Sequence, residues 1–126
     1  MSLILDAGAL VAIERGEPLT LALLKRELVA RRAPITHGGV IGQVWRSGTG
    51  RQARLARLLP ALEIVPLDRS LGQRAGLLIG RARRSDVVDA AVVVLAVDGD
   101  TILTSDVHDL EALASAAGLH VDIAAV

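Results

Sequence analysis

The chain has 126 residues, 52% of them hydrophobic, and its 14 acidic and 14 basic residues balance. This length suits one compact domain, residues 1–126, and the apolar content is too high for a disordered chain. The absence of Cys excludes disulfides and thiolate metal sites, and the absence of net charge excludes a global field that would attract nucleic acid.

Five short apolar runs predict β-strands. They are almost continuously apolar instead of alternating, which is typical of strands covered by helices on both faces. In chain order they are residues 3–5, 34–36, 62–65, 101–104 and 121–123.

Stretches with helical spacing lie between these strands. Thr20 can cap a helix that continues to residue 32, and Asp68 can cap another that continues to residue 82. Residues 87–97 are apolar nearly all round and predict a central helix, and the last helix ends at Gly118. This alternation predicts an α/β fold with a central, mainly parallel five-stranded sheet and helices on both faces.

No segment indicates export or a membrane span. Asp6 interrupts the apolar N-terminal stretch, which also lacks a basic start. The most apolar run, 87–97, contains Asp89 and is too short to cross a bilayer. We therefore expect a cytoplasmic protein without membrane contact.

Acidic residues follow two strands and begin two helices. Asp6 comes directly after the first strand, and Asp106 follows the fourth strand after one Ser. In a parallel sheet both carboxylates emerge at the same edge. Asp86 and Asp89 are three residues apart at the start of the central helix, and Asp106 and Asp109 repeat that spacing. Carboxylates gathered without basic partners favour a bound divalent cation, Mg²⁺ or Mn²⁺.

Helix capping is the alternative explanation for these acids. Asp is favoured at helix N-termini by capping and by the helix dipole, which would account for Asp86, Asp106 and Asp109. Capping accounts less well for Asp6, and least well for Asp89, which lies among Val and Ala residues. A carboxylate in such surroundings needs a partner or a metal ion. The spacing alone leaves both explanations open.

Three segments resemble those of PIN-domain proteins, especially the VapC-type ribonuclease toxins of toxin–antitoxin pairs. LDAGALVAIERG resembles the family's first strand and turn, SDVVDAAVVVLAV its acidic helix start, and TILTSDVHDLEAL its strand, T-x-D turn and following helix. The segments occur in the family's order, and the match extends over nearly the whole chain.

The resemblance implies a three-layer PIN-like fold and a metal-dependent endoribonuclease that a small antitoxin holds in check. By position, Asp6, Asp89 and Asp106 would be the catalytic residues and the ligands of Mg²⁺ or Mn²⁺. Asp86 and Asp109 would be accessory, as would the hydroxyl groups of Thr104 and Ser105, which could contact phosphate or metal.

One residue departs from the family pattern. Family members usually place a Glu in the helix after the second strand, and the matching residue here is Gln43. An amide adds no negative charge and is no general base. The alternative function is therefore a catalytically weakened or inactive PIN domain that binds RNA or protein.

Several residues are candidates for contacts with partners. Trp45 is the only aromatic residue, so an RNA substrate would be held by phosphate contacts more than by base stacking. The basic candidates are Arg46, Arg51, Arg54, Arg57 and Arg84, although solvated surface residues are an equally good explanation of them. The Leu-rich helix that contains Leu19 and Val29 has more apolar surface than one buried face requires, which predicts a homodimer.

Overall fold

The computed structural model describes all residues from Met1 to Val126. Its sheet is formed by β1 (Leu3–Leu5), β2 (Ile35–His37), β3 (Glu63–Val65), β4 (Thr101–Thr104) and β5 (Asp122–Ala125). The order across the sheet is β3-β2-β1-β4-β5, and every neighbouring pair of strands is parallel. The predicted five-stranded sheet is confirmed, and it is parallel throughout.

Seven α-helices connect the strands. They are α1 (Ala7–Arg15), α2 (Pro18–Val29), α3 (Gly38–Val44), α4 (Ala53–Leu58), α5 (Arg69–Ala82), α6 (Val87–Leu95) and α7 (Val107–Ala116). Right-handed crossovers place α1 to α4 on one face of the sheet and α5 to α7 on the other. The packing agrees, because α1 contacts α2, α3 and α4, whereas α5, α6 and α7 contact one another. The predicted cover of helices on both faces is confirmed.

Several element ends differ from the prediction. Helix α2 begins at Pro18 and not after Thr20, because the Glu17 carboxylate accepts from the backbone N–H groups of Leu19 and Thr20 and so caps the helix three residues earlier. Strand β2 extends from Ile35 to His37 and β5 from Asp122 to Ala125, and each of these two strands begins one residue later than expected. Asp68 does cap α5, where it accepts from the Leu71 N–H at 3.0 Å.

The predicted helix over 87–97 also ends early. Helix α6 stops at Leu95, because the chain then turns toward Asp100, whose carboxylate accepts from the Val97 N–H at 2.9 Å. None of the helices combines the length and the hydrophobicity needed to cross a bilayer.

The core surrounds the two central strands. Ile4 and Leu5 of β1 and Ile102 and Leu103 of β4 are at most 1% exposed, because helices cover both faces of the sheet. The chain leaves β1 toward β2 on one side and leaves β4 toward β5 on the other. This reversal creates a crevice at the carboxyl ends of β1 and β4, the position where ligands bind in open α/β sheets.

Candidate metal centre

Three helix N-termini meet near this crevice, and an aspartate caps each of them. The Asp6 carboxylate accepts from the Ala9 N–H at 3.0 Å and begins α1. Asp86 begins α6, where it accepts from the N–H groups of Val88 and Asp89 at 2.9 and 3.0 Å. Asp106 begins α7 and accepts from the Asp109 N–H at 3.3 Å. Capping therefore explains part of the acidic pattern. It applies also to Asp6, where the sequence made capping the weaker explanation.

Capping does not use all of the carboxylates. Asp89 and Asp109 lie in the first turns of α6 and α7, and neither side chain is hydrogen-bonded as a cap. Asp89, Asp106 and Asp109 each offer one carboxylate oxygen, and these three oxygens all lie within 4.8 Å of one another. The structure thus brings together two of the three predicted ligands, with Asp109 as the third member of the cluster.

Asp6 lies near this cluster without belonging to the group of three. The charges of Asp6 and Asp86 act on Asp89 together with those of Asp106 and Asp109. Asp6 is also the most deeply buried of the five, at 4% exposure. All five predicted acids therefore lie at the same edge of the sheet.

The electrostatics of the cluster are unfavourable in the absence of a cation. Burial, and then the four neighbouring carboxylates, raise the pKa of Asp89 to about 6. Burial also raises the pKa of Asp6, and the Thr104 hydroxyl and nearby backbone N–H groups offset part of that effect. The one salt bridge of the chain joins Arg32 to Glu27, so no basic side chain forms an ion pair with the cluster.

The donor set fits Mg²⁺ or Mn²⁺. Carboxylate oxygens are the hard ligands that these ions prefer, and the cluster contains neither His nor Cys, which zinc sites usually include. A divalent cation would also relieve the repulsion that raises the pKa of Asp89.

The turn between β4 and α7 packs closely against the start of α1. The Thr104 hydroxyl, predicted as an accessory group, is buried and accepts from the Asp106 N–H at 2.8 Å. Ser105 is exposed and packs against Gly8, where an added Cβ would lie 2.3 Å from the Ser105 Oγ. The absence of a side chain at Gly8 therefore lets the start of α1 approach this turn.

Gln43 is exposed on α3 and lines a groove of about 820 Å³. The groove is also lined by Gly8, Arg46, Arg51 and Ser105. Because Gly8 lies two residues after Asp6 and Ser105 directly precedes Asp106, the groove adjoins the acids. Gln43 thus borders a groove next to the cluster but adds no negative charge to it.

The remaining basic candidates are placed differently. Arg84 lines a second cavity, of about 350 Å³, whose other polar residues are Arg83, Ser85, Asp86, Asp89 and Asp109. Arg54 donates to the Glu14 carbonyl at 3.0 Å, near the end of α1, so its guanidinium has a structural partner, as does that of Arg46, which donates to the Trp45 carbonyl at 2.7 Å. Arg57 is exposed and lines neither cavity.

Two buried polar residues near the site were missed by the sequence analysis. Gln52 holds the loop after α3, because its Nε2 donates to the Val44 carbonyl and its Oε1 accepts from three backbone N–H groups, those of Arg46, Ser47 and Gly48. His37 joins α3 to α6 through its two ring nitrogens. No spacing or motif marks either residue, because their partners are defined only by the fold.

Comparisons with known proteins support the fold. No family model matches the sequence, and no curated protein matches it. Among solved structures, the chain is similar to a chain of VapBC2 from Rickettsia felis, solved bound to a DNA fragment from their promoter. The TM-score is 0.70 and the identity 14%, over 98% of each chain. This likeness confirms the expected α/β, three-layer PIN-like fold, and at this identity it extends to the fold alone.

Proposed function

We propose that the chain is a metal-dependent endoribonuclease, the toxin component of a VapBC-type toxin–antitoxin pair. The observation that carries the proposal is the cluster of Asp89, Asp106 and Asp109, which lies beside Asp6 and Asp86 with no basic side chain in ion-pair contact. A site of this kind, at the crevice of a parallel sheet, suits metal-assisted hydrolysis of a phosphodiester. The PIN-like fold is consistent with this reaction.

Mg²⁺ or Mn²⁺ would be held by Asp89 and Asp106, with Asp6 and Asp109 as the further carboxylates. When bound, such an ion supplies Lewis-acid stabilisation of the charge that builds on the phosphate, and it lowers the pKa of water. The caps formed by Asp86 and Asp106 fix the first turns of α6 and α7. They keep these turns helical, the conformation in which the carboxylates of Asp89 and Asp109 lie close to that of Asp106.

The RNA backbone would lie across the acids, between the two cavities that adjoin them. Arg46 and Arg51 line the larger groove, and Arg84 lines the smaller cavity together with Asp89. These guanidinium groups would contact phosphates on either side of the bond that is cut. Ser105 is exposed in the larger groove and offers a hydroxyl donor to the same backbone.

Two protein partners form part of the proposal. Helix α2 exposes Leu19 and Val29, whose side chains are 75% and 74% exposed, and this surface would form a homodimer. A segment of the antitoxin would occupy the larger groove, lined by Gln43 and Ser105. Inhibition would follow, because the RNA backbone needs the same groove.

Gln43 favours a second candidate function. Without the carboxylate that the family usually places there, the domain would bind RNA or protein and cut slowly or not at all. This alternative retains the fold and both cavities, and it differs from the first proposal only in the chemistry of the acids.

Calorimetry with Mn²⁺, followed by incubation with structured RNA with and without EDTA, separates the two functions. An active nuclease takes up Mn²⁺ and cuts RNA only in the absence of EDTA. The Asp6→Asn variant should eliminate cleavage and keep the fold, because Asn retains the oxygen that caps α1. The matched control is Asp122→Asn, at an exposed position on β5. RNA binding without cleavage would support the binding module, and cleavage that persists in Asp6→Asn would contradict the assignment of that residue.

A further inference from the structure

His37 connects helices that lie on opposite faces of the sheet. It ends β2 and is completely buried. Its Nδ1 accepts from the Gly39 N–H at 3.0 Å and so caps α3, and its Nε2 lies 2.9 Å from the Val88 carbonyl oxygen of α6. Because Nδ1 accepts from an amide while Nε2 faces a carbonyl, the ring is neutral with its proton on Nε2.

The bond to Val88 holds the turn that carries Asp89. Val88 precedes Asp89 in the first turn of α6, and α6 packs against β1 and β2. The other side-chain bonds of this turn are local, since Asp86 caps its own helix. His37 is therefore the one side chain from another element that hydrogen-bonds residues 86–89.

We propose that His37 is a positioning residue, which fixes the first turn of α6 and so keeps the Asp89 carboxylate beside those of Asp106 and Asp109. The inference rests on the proposed metal site. Like charges within 4.8 Å repel one another, so a carboxylate on an untethered helix turn moves away from the others when no cation is bound. A hydrogen bond between that turn and the end of β2 opposes this movement and preorganises the cluster for Mg²⁺ or Mn²⁺.

Two substitutions separate the functions of the two ring nitrogens. In His37→Asn, the side-chain oxygen can take the place of Nδ1 and cap α3, but the side chain is too short to reach Val88. In His37→Gln, the amide nitrogen can take the place of Nε2 and donate to Val88, while the cap at Gly39 is lost. The pair thus removes one bond at a time from the same buried position.

Calorimetry with Mn²⁺ and thermal unfolding, measured on wild type and both variants, test the proposal. We expect His37→Asn to weaken Mn²⁺ binding by about tenfold or more, in the range found for residues that orient metal ligands. His37→Gln should keep most of the wild-type affinity, even if it lowers the Tm as much as His37→Asn does. A purely structural role predicts instead that the affinity does not depend on which bond is lost.

The outcomes distinguish this inference from the proposed function. Absence of Mn²⁺ uptake by the wild type would overturn both. Wild-type uptake combined with an unchanged affinity in His37→Asn would overturn the positioning role alone. Nitrogen NMR of wild-type His37 adds a test that needs neither metal nor variant: the neutral Nε2–H tautomer is expected, and a neutral ring with its proton on Nδ1 and none on Nε2 would refute the bond to Val88.

Discussion

Replacing Asp89 by Asn should stabilise the metal-free protein at neutral pH and remove its response to Mn²⁺. Burial and the neighbouring carboxylates raise the pKa of Asp89 from its ordinary value of 3.8 to about 6 in the folded state. Because the folded pKa lies above the unfolded one, this carboxyl favours folding below about pH 4. That contribution is lost as the pH rises through 6, where the folded state must accept a further negative charge.

The size of the effect follows from the pKa shift. Converted in full at about 1.36 kcal/mol per pKa unit, a rise from 3.8 to about 6 corresponds to roughly 3 kcal/mol. Asp89 is only half-buried, so solvent screening reduces the penalty to about 1–2 kcal/mol. Asn has nearly the same shape and no charge. Asp89→Asn should therefore raise the free energy of unfolding by about 1–2 kcal/mol at pH 7.5, and by much less at pH 4.5.

Urea unfolding in EDTA, followed by the fluorescence of Trp45, measures this difference at both pH values. The control is Asp122→Asn at an exposed position on β5, which should match the wild type at each pH. Adding Mn²⁺ at 100 times its Kd should stabilise the wild type by about 2.7 kcal/mol and leave Asp89→Asn unchanged. An Asp89→Asn protein that is no more stable than wild type at pH 7.5 in EDTA would refute the electrostatic reasoning.

Three further predictions concern residues around the site. Gly8→Ala should lower the free energy of unfolding by about 1–3 kcal/mol, because its Cβ would overlap Ser105. Gly76→Ala, at an open and exposed helix position, is the control and should be neutral or stabilising. Urea unfolding measures the free energy of unfolding of both variants. Gln43→Glu should bind Mn²⁺ more tightly than wild type in calorimetry, and an affinity equal to that of Gln43→Ala would exclude this position from the metal centre. Leu19→Glu should reduce self-association in light scattering, and a dimer of undiminished stability would remove α2 from the interface.

The features that follow from local sequence could be predicted. Residues 3–5 are apolar throughout, and Ile102 and Leu103 form the apolar centre of residues 101–104, because both faces of these strands are covered. This pattern identifies a buried parallel sheet. Asp68 caps α5 as expected, because capping depends on neighbouring backbone groups alone. The cap that Glu17 forms on α2 is equally local but was not predicted. A Glu is a less common cap than the Thr that lies three residues after it.

The composition of the candidate site could be predicted only in part. The resemblance to PIN-domain proteins predicts Asp6, Asp89 and Asp106 as the ligands, and the structure brings Asp89 and Asp106 together. The inclusion of Asp109 depends on how α6 and α7 pack against each other, which one sequence does not reveal. The same holds for His37, since its partner Val88 is brought near only by the crossover from β3 to β4.

The most direct test of the metal centre is a crystal of the wild-type protein soaked in Mn²⁺, examined by anomalous scattering. We predict one strong peak within coordination distance of the carboxylates of Asp89 and Asp106, and its remaining ligands would decide between Asp6 and Asp109. The peak should vanish in Asp89→Asn crystals and in crystals treated with EDTA. A fully ordered acidic cluster with no peak, or with a peak only elsewhere on the protein, would contradict a catalytic metal ion at this edge of the sheet.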